Sequence, residues 1–150
     1  MTSILPETAS PMSSKQTETL SLLGKELGQF LLICGLAFGL MRLTEHYWQD
    51  VLTMLGSSAA IMAAMLLVKR SFAVAVTGLA AAVLGPTFAI HAVKAGALSF
   101  AAPHLEGIPA WLFPVWGAGG IFFASLYQFL RVLIAQAETL RANDPGSEDS

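Results

Sequence analysis

The chain has 150 residues, enough for one compact domain, and is 55% hydrophobic but only 12% charged. Soluble domains carry about 25% charged residues, so a chain with a mean hydropathy of +0.64 lacks the polar groups to solvate a globular surface. The net charge of −2 comes with no basic cluster, which argues against nucleic-acid binding, and the single cysteine, Cys34, excludes an internal disulfide and a cysteine-built metal site.

Residues 1–19 place Glu7, Lys15 and Glu18 among Ser, Thr and Pro. This composition predicts a disordered polar leader. It does not read as a secretory signal, because the first apolar run comes too late. Leu20, Leu23, Leu27 and Phe30 then recur at helical spacing and lead into a first membrane span over about 27–48. Cys34 reads there as a small buried hydrophobe. Arg42 has a stem long enough to reach the headgroups.

Residues 51–68 give the second span, 18 uncharged residues between Asp50 and Lys69. The third, 71–93, is the strongest, with 23 residues and no Lys, Arg, Asp or Glu. A helix of that length rises roughly 30 Å or more, the hydrocarbon thickness of a bilayer. A single helix running through Lys69 and Arg70 would hold both charges in hydrocarbon, which costs several kcal/mol. The pair therefore predicts a tight turn, with the second and third helices as antiparallel neighbours. Residues 94–109 form a mixed loop with Pro103, His104, Glu106, Gly107 and Pro109. A fourth span covers about 110–130 and ends at Arg131. Helical periodicity continues through Val132, Leu133, Ala135, Ala137 and Leu140, and 142–150 predict a disordered acidic tail.

The predicted fold is all-α: an integral membrane four-helix bundle over 20–141, up-down-up-down, with both termini on one side. That side collects Lys15, Lys25, Lys69, Arg70, Arg131 and Arg141, against Arg42 and Lys94 on the other. The positive-inside rule makes the richer side cytoplasmic, giving a multi-pass protein of the cell or inner membrane. Tyr47, Trp48 and Trp111 fall at the outer interface, where aromatic belts form.

Lipid tails are as apolar as leucine, so helices in a membrane associate by close packing at small residues. Gly35 and Gly39 are spaced for this in the first span, and Gly56, Ala60 and Ala64 in the second. Ala81 and Gly85 repeat the pattern in the third, Gly120 and Ala124 in the fourth. The Gly85-Pro86 pair predicts a helix break or kink, because Pro86 lacks an N–H and crowds the Ala82 carbonyl. The Thr87 hydroxyl is placed to satisfy a freed carbonyl. Broken helices build substrate sites in transporters, but a packing kink is the preferred reading.

His46, His91 and His104 all fall on the outer side, with Glu45, Asp50 and Glu106 in the same zone. Imidazole and carboxylate groups suit zinc and similar divalent metals, so the three histidines are the candidate metal ligands. Ordinary interfacial residues are the preferred alternative, since neither HxxxH nor HExxH spacing occurs. No other cofactor is implied, and no catalytic motif is present. Three functions follow in order of preference. The first is an accessory, scaffold or subunit protein acting through helix–helix contacts, its partners the bilayer and a second copy or another membrane protein. The second is an oligomeric transporter or channel component working at Gly85-Pro86. The third is an outer-face metal-binding protein or membrane enzyme.

Overall fold

The computed structural model describes residues 14–142; the first part of the expected leader, to residue 13, and the expected tail from 143 lie outside the described residues. Four helices follow in order: α1 (Ser14–Tyr47), α2 (Val51–Lys69), α3 (Phe72–Lys94) and α4 (Leu112–Ala142). Each is long and apolar enough to cross a membrane, which makes this a multi-pass helical membrane protein. The bounds of α2 and α3 match the charge-free runs. α1 begins earlier than the apolar pattern, and α4 runs well past Arg131, because a helix continues beyond the bilayer wherever nothing stops it.

The stops are local. Asp50 caps α2 by accepting from the Thr53 amide at 3.2 Å. At its other end Arg70 takes the left-handed conformation (φ 44°), and Ser71 is extended, so the turn into α3 needs only two residues. The loop after α3 reverses at Gly96 (φ 73°) and again at Glu106 and Gly107 (φ 50° and 89°), where Leu105 and Ile108 form an isolated bridge.

Long-range bonds fix the directions. Gln29 Nε2 donates to the Val68 carbonyl at 3.2 Å, joining the early part of α1 to the end of α2. Trp111 Nε1 donates to the Trp48 carbonyl at 3.2 Å, joining the start of α4 to the end of α1. The bundle is therefore up-down-up-down.

α4 is its hub. It packs most extensively on α3 and also touches α1 and α2. Ile33 and Leu40 of α1, Met65 of α2, Val74 of α3, and Ala118 and Ile121 of α4 bury one cluster. Met54, Ala89, Ile108, Trp111 and Leu112 bury a second at the loop end. One expectation is corrected here: α2 and α3 are antiparallel and joined by a two-residue turn, yet they scarcely pack on each other. α3 turns its small-residue face to α4 instead, where closer approach is possible.

The outer surface is apolar. Phe72, Leu52 and Phe88 are among the most exposed side chains, an arrangement suited to lipid and poorly suited to water. Inside, Ser58 and Ser125 are fully buried and donate one turn back, to the Met54 and Ile121 carbonyls at 2.5 and 2.7 Å. Among the described residues no buried side-chain N or O lacks a partner.

Candidate functional site

The tightest part of the molecule is the seam between α3 and α4. A Cβ on Gly78 would lie 2.6 Å from Ile121 Cγ1, and one on Gly85 would lie 2.2 Å from the Trp116 ring. From α4, a Cβ on Gly117 would meet Met62 Sδ at 2.6 Å, and one on Gly120 would meet the Ala81 Cβ at 2.5 Å. A Cβ at Gly85 or Gly120 would meet a ring or a neighbouring helix's Cβ and backbone, and one at Gly78 the Ile121 side chain, whereas at Gly117 it would meet mainly the flexible end of Met62 from α2. Sequence reasoning singled out Gly85 and Gly120 and missed Gly78 and Gly117. Ala124 is half-buried on the same helix.

Gly85 and Pro86 are both buried within this seam, and α3 is helical on both sides of and through Pro86. The Thr87 hydroxyl donates to the Val83 carbonyl at 2.7 Å, the usual bond one turn back, and not to the Ala82 carbonyl that Pro86 leaves free. The pair thus seats the Trp116 indole against the α3 backbone.

The glycines of α1 and α2 behave differently. A Cβ at Gly35, Gly39 or Gly56 would meet nothing within 4 Å, and the same holds for Gly24 and Gly28. Ala60 is exposed and Ala64 half-buried. Within this chain, then, the expected packing motif of the first span has no helix against it. Gly24, Gly28, Gly35 and Gly39 lie within about 60° of one another around α1, at 100° per residue. They form one smooth open stripe.

At the loop end the structure disperses the polar groups. His46, His91 and His104 are all exposed. His46 Nδ1 lies 3.0 Å from the Arg42 carbonyl, in a bond within its own helix. The neighbouring carboxylates are occupied locally: Glu45 pairs with Arg42 at 2.7 Å, Glu106 with Lys94 at 2.8 Å, and Asp50 accepts from the Thr53 hydroxyl at 2.6 Å. Among the described residues no group of three or more His, Cys, Asp or Glu side chains is gathered to hold a metal ion.

Two of these carboxyls titrate low. The Thr53 hydroxyl and amide hold Asp50 below its ordinary range, and Lys94 does the same for Glu106. A depressed folded-state value adds stability above the unfolded pKa, about 4 for Asp, and that stability is lost as pH falls through the folded value. The Asp50→Ala variant is therefore expected to unfold at a lower temperature than the parent at pH 7, with the gap closing below about pH 4. Thermal unfolding of both proteins across pH 2.5–8, about the range that brackets this titration, checks it; a gap independent of pH would contradict the cap.

The opposite end of the bundle holds an ion pair that the sequence did not signal. Lys69 Nζ donates to the Glu26 carboxylate, with the lysine side chain 2% and the glutamate 29% exposed. Beside it, Glu26, Gln128, Arg131, Val132 and Ala135 line an open groove of about 360 Å³. Only the topology could have revealed this pairing. It follows once helices one and two are antiparallel and Glu26 and Lys69 fall at the same depth.

No protein-family model matches the chain, and neither a curated protein nor a solved structure matches it.

Proposed function

We propose that this is a non-enzymatic membrane protein, an accessory or scaffold subunit that receives another transmembrane helix on the glycine face of α1. The supporting observation is the open stripe of Gly24, Gly28, Gly35 and Gly39. Glycine inside a helix costs about 1 kcal/mol relative to alanine. Four such positions are a burden on α1 that no contact within the chain offsets. A helix from another protein, or from a second copy, would recover it by close backbone approach. In this reading both termini face the cytoplasm of the cell or inner membrane, following the excess of Lys and Arg at that end.

The test is a photo-crosslinking residue at Leu31, on the same face, in native membranes. The parent should give one protein adduct of defined mass. Gly35→Leu combined with Gly39→Leu should remove that adduct while leaving the helical content and unfolding temperature of the purified protein equal or higher, since leucine is the better helix former. Adducts to lipid alone in the parent, or an unchanged adduct in the double variant, would remove the support for a docking face.

A further inference from the structure

We propose that the groove between α1 and α4 at the termini end binds the phosphodiester headgroup of a membrane phospholipid. The charges favour an anion. Glu26 is already neutralised by the buried Lys69 ammonium, and Arg131, exposed in the same groove, has no ion-pair partner among the described residues. One unbalanced guanidinium therefore faces the opening, and the Gln128 amide lines the groove beside it as a second donor. A guanidinium presents paired N–H groups that match two oxygens of a phosphate.

The position favours a lipid over a free ion. Arg131 ends the apolar run of α4, at the same end as the Lys69 ammonium and the α2–α3 turn, which is headgroup depth. Val132 and Ala135 line the groove on the side of Arg131 away from the bilayer. On the bilayer side of the groove, one turn along α1 from Glu26 and two residues before Arg131 on α4, Phe30 stacks on Phe129 with ring centroids 4.9 Å apart and planes within 6°. The cation is outermost, with the Gln128 amide and the Phe30–Phe129 ring pair on its bilayer side, which matches a phosphate above glycerol and acyl chains. The inference stands apart from the glycine face of α1, and either can fail without the other.

The experiment uses the full chain, purified in detergent and delipidated, titrated with phosphatidylglycerol and followed by native mass spectrometry. One lipid should be retained per chain. Arg131→Gln should weaken retention about tenfold, the scale of a lost charge-assisted bidentate contact, and Arg131→Lys should fall between. Arg141→Gln removes an exposed cation farther along the same helix and should change retention less than about twofold, since isolated surface charges act weakly. Inorganic phosphate should not displace the lipid, and dioleoylglycerol, which lacks the phosphate, should not be retained. The proposal is overturned by equal losses in the Arg131 and Arg141 variants, or by no effect of Arg131→Gln. Displacement by inorganic phosphate would overturn it in favour of a free-anion site. Retention of dioleoylglycerol at parity would overturn it in favour of acyl contact alone.

Discussion

Gly120→Ala is expected to loosen α3 from the bundle, at about 2–3 kcal/mol of unfolding free energy, the upper part of the usual range for overpacking. The added methyl would lie 2.5 Å from the Ala81 Cβ, 3.0 Å from the Thr77 carbonyl oxygen and 3.3 Å from the Gly78 Cα. The first of these is the root of a side chain and the other two are backbone, so no rotamer change can make room. The α3 helix itself must move out. It has little else to hold it, since it barely meets α2 and does not reach α1. Gly119 provides the control, because a Cβ there would meet nothing within 4 Å. Gly119→Ala should be neutral or raise stability by up to about 1 kcal/mol through helix propensity. Reversible unfolding in mixed micelles measures both. Equal stabilities for the two alanine variants would show that the α3–α4 seam is not close-packed.

That contrast between adjacent glycines marks how far the sequence could be read. The four spans were legible because charge is scarce in this chain: the runs 51–68, 71–93 and 107–130 each have the length of a bilayer crossing, and the shorter first run, 27–41, is completed by an Arg42 whose stem reaches the headgroups. Up-down-up-down order followed from the number of consecutive spans, each crossing reversing the one before it. Contact partners did not follow. Gly35 and Gly39 are spaced like any packing motif, yet they face outward, while Gly78 and Gly117, seven and three residues from their neighbours in the seam, are the ones in contact. A small residue licenses approach from any side and carries no information about which helix approaches. The turn at Lys69 and Arg70 likewise fixed the direction of α3 but not its neighbour. Direction is set by two backbone conformations, whereas the neighbour is set by the match of surfaces along the whole length.

The candidate metal set was legible only as a shared side of the membrane. Sharing a side limits depth and leaves lateral position open. His46 sits at the end of α1, His91 near the end of α3, and His104 in the loop beyond. α1 and α3 are separated by the rest of the bundle. The groups that sequence reasoning linked through topology are therefore spread by packing. The groups it kept apart, Glu26 and Lys69, are brought together. Lys69 counted as a loop cation in the charge asymmetry, yet its side chain turns inward.

Glu26→Gln is the substitution expected to cost most, about 3 kcal/mol. Removing one partner of a buried ion pair costs about 3–5 kcal/mol, since it leaves a charge without compensation. The lower figure applies because the Glu26 side chain keeps 29% of its exposure. The Lys69 side chain is 2% exposed where it lies, and Gln29 Nε2 still holds the Val68 carbonyl and keeps the end of α2 against α1 when the carboxylate is gone. Removing both charges is a different matter. Glu26→Gln with Lys69→Met leaves an amide and an apolar chain of similar volume, and should cost less than Glu26→Gln alone, as replaced buried pairs commonly do. A double-mutant cycle in mixed micelles isolates the coupling. Salt supplies an independent reading. The exposed Arg42–Glu45 pair should weaken as ionic strength rises. The Lys69–Glu26 coupling should persist at about 1 M salt, because screening ions cannot approach a buried ammonium. Additive single-variant effects, or a coupling abolished by salt, would place the Lys69 charge in water and leave the α1–α2 junction to Gln29 alone.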